Sequence, residues 1–325
     1  METRRLGPEG PEVTRLGLGL AALGRPAYIN LNRSRDLPDG RSVAKMRSLA
    51  HELLDHAFAR GIRYFDAARS YGRAEEFLAT WLDLRGLRGG EVVCGSKWGY
   101  TYVGGWRMDS LVQEVKDHSL GKLISQLEES RRLLGPELRL YQIHSATLES
   151  GVLEDRAVLA RLLDLTSEGV VVGLSVSGPR QAEVVERAMA VTVDGRNPFS
   201  AVQATWNVLQ TAAGPALEAA HDRGWTVLVK EALANGRLVA EPESPGPMNR
   251  AAARHGVGPD AIALAFALAQ SWCDVLLSGA VTKGQLDSNL RALDVALEPE
   301  EVAALRDLAE APEAYWATRA ALPWT

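Results

Sequence analysis

The 325-residue sequence predicts an α/β fold, a closed (β/α)8 TIM barrel with an N-terminal β-hairpin and an extra C-terminal helix. Three observations lead there. Short apolar, β-branched runs alternate with amphipathic helical segments along nearly the whole chain, a pattern that demands a parallel sheet covered by helices. Eight such alternations are present, and eight units favour closure over an open, doubly wound sheet. The polar residues able to do chemistry recur at the carboxyl ends of the apolar runs, the rim where barrels of this kind carry their sites. An open dinucleotide-binding sheet would instead begin a helix at its first glycine-rich turn. LGLGLAALG (16–24) resembles such a turn only weakly, and no helical period starts there. No break in composition divides the chain, so residues 1–325 read as one domain.

Taken in order, residues 3–15 read as a hairpin around a Gly/Pro turn, and 16–24 as a strand with its loop. Residues 25–42 are polar and without period, long for a βα connection and therefore of functional interest. Then follow a helix over 43–61 stopped by Gly61, a strand over 62–66, the helix AEEFLATWL and a strand over 91–99. WGYTYVGGW leads as a loop to a long helix over 120–135, a strand over 138–146, a helix over 155–169 and a strand over 170–178. Pro179 opens the next helix, where its missing N–H costs nothing. Strands at 201–207, 225–230 and 273–280 alternate with helices at 215–224, 261–270 and 284–294, and 236–248 reads as a Gly/Pro loop. A last helix occupies 299–313, and the tail AYWATRAALPWT shows no period.

Hydrophobic residues make up 46% and charged residues 24% of the chain, enough to bury a full core. The net charge of −5 argues against a nucleic-acid partner or an anionic membrane, which want a basic face. No apolar run is long enough to span a bilayer and METRRLGPEG has no signal-peptide core, so the chain reads as cytoplasmic. Cys94 and Cys273 sit inside apolar strands and read as buried thiols of a reducing compartment.

Four residues at successive strand ends form a chemical unit. Asp66 ends the second strand and Tyr71 lies in the loop after it; Lys97 ends the third strand and His144 the fourth. A free phenol titrates near ~10 and gives up its proton reluctantly at neutral pH. An ammonium beside its oxygen would stabilise phenolate, and Asp66 would hold that ammonium in place. His144 would donate a hydrogen bond to the oxygen that receives the proton. Such a unit protonates a developing oxyanion, and it needs an electron source.

FDAARSYG, the strand ending in Lys97 and LRLYQIHSA together resemble the aldo-keto reductases, NAD(P)H-dependent carbonyl reductases built on a (β/α)8 barrel. The resemblance runs from the N-terminal hairpin to about Leu293. It implies Tyr71 as proton donor, with Asp66, Lys97 and His144 as companions. It further implies that Ser175 and Gln203 hold the nicotinamide carboxamide, and that Lys230 stands where an aromatic often stacks on the ring. SGAVTKGQLDSN (278–289) matches the family's loop for the adenosine phosphate, with Gly279, Thr282, Gln285 and Asn289 fitting the pattern and Lys283 available for a 2′-phosphate. The implied cofactor is NADP(H), favoured over NAD(H). Three departures stand out: Ala67 replaces a usual threonine, Val176 a usual asparagine, and Val281 an arginine common in this loop.

Trp98, Tyr100 and Trp106 after the third strand, Trp206 after the sixth and Trp324 in the tail supply an aromatic wall suited to an apolar or aromatic carbonyl substrate. Trp81 and Trp225 read as packing residues, and Arg69 and Arg73 as solvated loop charge. The remaining histidines show no metal-ligand spacing, so no metal is expected. Two rivals stay open: a non-catalytic barrel that binds the dinucleotide to sense redox state, and a metal-dependent barrel hydrolase.

Overall fold

Eight parallel strands hydrogen-bond edge to edge until the last meets the first, in a computed structural model that describes residues 1–31, 36–37, 40–240 and 246–325. The middle of the polar 25–42 segment and part of the 236–248 stretch lie outside those residues. The barrel strands are β3 (Leu16–Gly19), β4 (Tyr64–Asp66), β5 (Val93–Trp98), β8 (Leu138–Ala146), β9 (Val171–Val176), β10 (Ala201–Thr205), β11 (Thr226–Lys230) and β12 (Val275–Ser278). β12 pairs with β3, which closes the ring.

The hairpin β1 (Thr3–Arg5) and β2 (Glu12–Thr14) covers the amino-terminal mouth. Leu6 and Val13 join Tyr64, Val93, Leu140 and Leu228 in one buried apolar cluster there. The Gly7 amide donates to Thr226 Oγ1 at 2.6 Å, tying the hairpin turn to the seventh barrel strand. With that mouth plugged, the carboxyl-end mouth is left for a site.

Helices cover the outside, and their starts follow local chemistry. Ser42 caps Val43–Ala59, Ser119 caps Leu120–Leu134 and Asp155 caps Arg156–Ser167, each side-chain oxygen accepting from backbone amides of the first turn. Gly61 adopts φ +93°, the left-handed conformation that stops the first of these helices. The fold class, the hairpin and the eight alternations are as the sequence predicts.

Four features differ. Residues 100–116 contain an antiparallel hairpin, β6 (Tyr100–Tyr102) with β7 (Glu114–Lys116), where a plain loop is expected. The helix after β9 starts at Gln181 and not at Pro179. Pro247–His255 forms a helix at the end of the expected Gly/Pro loop. The extra helix Pro299–Arg306 is followed by a second one, Pro312–Ala320, inside the tail that shows no period. Among the described residues no helix is long and apolar enough to cross a membrane.

Candidate active site

β4 and β5 pair with Asp66 opposite Gly95, so Asp66 and Lys97 come together at the carboxyl mouth. Lys97 is fully buried; its Nζ forms an ion pair with Asp66 Oδ1 and donates to the Ala67 carbonyl at 3.0 Å. The other carboxylate oxygen accepts from Tyr64 Oη at 3.2 Å and from Gln203 Nε2 at 3.0 Å. Asp66 is thus held by three side chains from three strands. Tyr64 can reach it only because two strand residues lack side chains. A Cβ on Gly95 would stand 2.2 Å from Tyr64 Oη, and one on Gly17 would stand 2.7 Å from the ring.

Tyr71 is fixed by its loop. Gly24 and Gly72 pack backbone against backbone around it, and a Cβ on Gly24 would lie 2.1 Å from the Tyr71 carbonyl. The Lys97 ammonium is 5.0 Å from the Tyr71 ring centroid, and the His144 ring meets it edge-on at 5.4 Å. The Arg25 guanidinium is 5.6 Å away on another side. The four expected residues are therefore together. Burial, and then the Asp66 carboxylate, push the Tyr71 phenol well above its ordinary value. Lys97 is paired with Asp66, and among the causes of the shift Arg25 is the cation that pulls the phenol the other way. The phenol stays fully protonated, as a donor must.

His144 is buried, and burial with the nearby Lys97, Lys230 and Arg25 charges holds it well below the usual imidazole value. It is neutral. Its Nδ1 lies 3.2 Å from Ser70 Oγ, which fixes the ring orientation.

A cavity of about 550 Å³ opens beside these groups. Its walls include Asp66, Tyr71, Gln203 and Lys230, and also Gly279, Gln285 and Asn289. Thr282 caps the helix Lys283–Leu290 by accepting from the Gln285 amide and does not itself line the cavity. Lys283 points outward, 3.6 Å from Glu52. Ser175 is fully buried, with its Oγ accepting from the Ser145 amide at 2.9 Å. The lining suits a dinucleotide. An added Cβ at Gly279 or Gly284 would meet nothing within 4 Å, so backbone is bare where a phosphate could approach the helix N-terminus. The buried Oδ1 atoms of Asn30 and Asn235, both on lining residues, have no partner among the described residues.

The family model for the aldo/keto reductases matches residues 15–310. The chain belongs to the aldo/keto reductase family. It is similar to an aldo-keto reductase of Strobilurus tenacellus, 24% identical over 96% of this chain and 93% of that one. It is also similar to an NADP(+) aryl-alcohol dehydrogenase of Phanerodontia chrysosporium, 25% identical over 50% of this chain and 42% of the relative. A holo-form aldo-keto reductase of Bacillus halodurans shares the fold with a TM-score of 0.71 and 21% identity, covering 96% and 97% of the two chains. Membership makes the protein an oxidoreductase of a family that works with nicotinamide cofactors.

The aromatic wall expected of this aldo/keto reductase needs two corrections. Trp98 is fully buried and packs edge-on against His118 at 5.6 Å, facing the helical layer because its neighbour Lys97 faces the barrel axis. Trp206 stacks on Phe266 at 5.1 Å, meets Trp272 edge-on and donates its indole N–H to the Thr211 carbonyl, so it is core. Tyr100 does stand at the site, its ring 5.1 Å from His144. Trp324 lies 4.8 Å from the same Arg25 guanidinium that faces Tyr71. Trp106 is half-buried against Phe77, with its indole N–H donated to the Arg41 carbonyl. Trp81 and Trp225 are packing residues as expected. Arg69 departs from solvated charge: it pairs with the buried Glu75 and with Glu129.

Sequence reasoning misses Ser70, Arg25, Tyr28, Glu231 and Arg319. Arg25, in the long loop after β3, is 3% exposed and pairs with Glu114 at 2.9 Å. Glu231 lines the cavity beside Lys230 and pairs with Arg319 from the last helix. Only Ser70, inside the FDAARSYG motif, carries a local signal; the others become neighbours through tertiary packing alone.

Proposed function

We propose that the protein reduces an aldehyde or ketone to an alcohol at the expense of NAD(P)H, with Tyr71 as the proton donor. When bound, the nicotinamide would supply the hydride. Tyr71, neutral and buried at the cavity wall, would pass its phenolic proton to the carbonyl oxygen as charge develops there. Lys97, locked by Asp66, would steady the phenolate left behind. His144, neutral and oriented by Ser70, would donate a hydrogen bond to the same oxygen. Gln203 and Ser175 would hold the carboxamide. Gly279, Gln285 and Asn289, with the helix that Thr282 caps, would receive the adenosine phosphates.

One observation carries this reading: the same cavity is walled by Tyr71 and by the start of the last barrel helix. We favour NADP(H) over NAD(H), with Lys283 in the first turn of that helix as the cation for the extra phosphate. We place the protein in the cytoplasm, which suits its two buried free cysteines. Tyr100 and Trp324 make the substrate side aromatic, and we take the substrate to be an apolar or aromatic carbonyl compound.

The test is NADPH consumption with 4-nitrobenzaldehyde by the wild type and by Tyr71→Phe. A rate in the wild type that falls ~100-fold or more in the variant supports the reading. Equal, negligible rates in two proteins that both bind NADPH would instead favour the redox-sensing barrel.

A further inference from the structure

Lys230 ends β11 and lines the cavity, yet its ammonium has an unusual set of neighbours. Its Nζ donates to Thr205 Oγ1 at 2.7 Å. Thr205 Oγ1 in turn donates to Glu231 Oε2 at 3.1 Å, and both Glu231 oxygens are taken by Arg319. Among the described residues no carboxylate lies within ion-pair distance of Lys230. Of the other acids that line the cavity, Asp66 is committed to Lys97, while Asp36 and Asp260 accept from Gln285 and Asn289 by the last barrel helix. An ammonium has three N–H groups, and here one is used. The wall of the cavity beside Tyr71 therefore carries an uncompensated positive charge: Lys230 and Arg319 share the single carboxylate of Glu231.

We propose that Lys230 sets redox-state selectivity, its ammonium repelling the cationic oxidised nicotinamide ring and tolerating the neutral reduced one. The inference rests on the dinucleotide reading above and adds a direction to it. Oxidised and reduced coenzyme differ by one charge at the ring, so a fixed charge in a water-poor wall discriminates between them, while any contact it makes with the phosphates acts on both equally. The protein then holds NAD(P)H tightly, releases NAD(P)+ readily and is biased towards reduction.

The Lys230 charge also titrates at mildly alkaline pH. Burial pulls the Lys230 amine down to about 8. The groups facing it behave otherwise. Glu231 on the same strand end would be raised by burial, but Arg319 from the last helix and Lys230 hold it at about 2. His144 on β8 is neutral, the Tyr28 and Tyr71 phenols are pushed up by burial, and Asp66 on β4 and Lys97 on β5 are paired with each other. Arg25 stays paired with Glu114.

The experiment is calorimetric titration of NADPH, NADP+, NADH and NAD+ into the wild type, Lys230→Met and Lys230→Arg at pH 7, and into the wild type at pH 9.5. We expect the wild type to favour the reduced form of each pair by about tenfold or more at pH 7. That ratio falls towards unity in Lys230→Met and at pH 9.5, and it is kept in Lys230→Arg. Equal affinities for the two redox states in the wild type, or a ratio unchanged at pH 9.5, overturns the inference; the latter measurement needs no variant to fold. A loss of affinity shared equally by both forms in Lys230→Met overturns it too, by assigning the lysine to the phosphates. If the wild type binds none of the four, the dinucleotide reading falls first and takes this inference with it.

Discussion

Tyr71 is held as a neutral phenol by burial and by Asp66, and His144 as a neutral imidazole by burial and by the cations around it. Both protonation states bear on the pH dependence. An unperturbed histidine would lose its proton near ~6.5 and put a break in the rate there. With His144 depressed well below that value, its imidazole is neutral across the whole range from pH 6 to 7.5. The kcat/KM for carbonyl reduction is therefore expected to be flat over that interval, as read from initial rates at saturating cofactor. A sigmoidal step centred near 6.5 would remove His144 from the neutral role given to it here. Tyr71→Phe, by contrast, keeps the packing of the ring and removes the proton, so its loss appears in kcat with cofactor affinity retained.

At the scale of single elements, two contacts make quantitative demands. Gly95 on β5 leaves the space into which Tyr64 Oη reaches to meet Asp66. Gly95→Ala drives a methyl into that oxygen. Overpacking of this kind costs about 1–3 kcal/mol, and the thermal midpoint should drop accordingly. Adding Tyr64→Phe removes the obstructing oxygen, so the double variant should melt above Gly95→Ala alone. If both melt alike, the Gly95 contact is not what limits the fold there. The second contact joins Glu231 on the loop after β11 to Arg319 on Pro312–Ala320. Arg319→Met strands a carboxylate that is 8% exposed, at a cost of about 3–5 kcal/mol. Glu231→Gln in the same chain should return part of that loss, measured by urea denaturation.

These elements also mark where the sequence could be read and where it could not. β4, β5 and β8 are legible because each is a largely apolar run with a polar residue at or near its carboxyl end, which puts Asp66, Lys97 and His144 on one rim. Pro312–Ala320 is not legible, because it buries only Tyr315 and Trp316 and has no apolar stripe. It is fixed instead by Arg319 on Glu231 and by Tyr315 Oη, which accepts from Asn207 Nδ2 at 3.0 Å. Pro247–His255 buries only Met248, Ala251 and Ala252, too small a face to announce itself. The burial of Trp98 follows from strand alternation, which turns the neighbour of an inward lysine away from the axis. Arg25 and Glu231 had no local signal, since their partners lie 89 and 88 residues away in the chain.

For the molecule as a whole, the buried titrating groups set the response to acid. Burial depresses His51 and His144, and pulls His118 down to about 4. In the unfolded chain each imidazole takes up a proton near ~6.5. Below that pH the unfolded state binds protons that the native state refuses, so stability falls as pH falls from ~6.5 towards each native value. Glu231 adds a second window in the same direction, from the ordinary carboxylate range down to about 2. The protein should therefore begin to lose stability about two pH units above the point where carboxylates alone would act. Each refused proton contributes about 1.4 kcal/mol per pH unit once its unfolded counterpart is charged, so the loss steepens towards pH 5, with His118 and His144 acting in the same direction. Urea midpoints at pH 7, 6 and 5 measure this, and His118→Gln, which cannot titrate, should flatten the profile by roughly one proton's worth. A midpoint that holds constant from pH 7 to 5 would mean that the imidazoles reach solvent readily, and the neutral His144 that the proton-transfer geometry relies on would have to be given up with them.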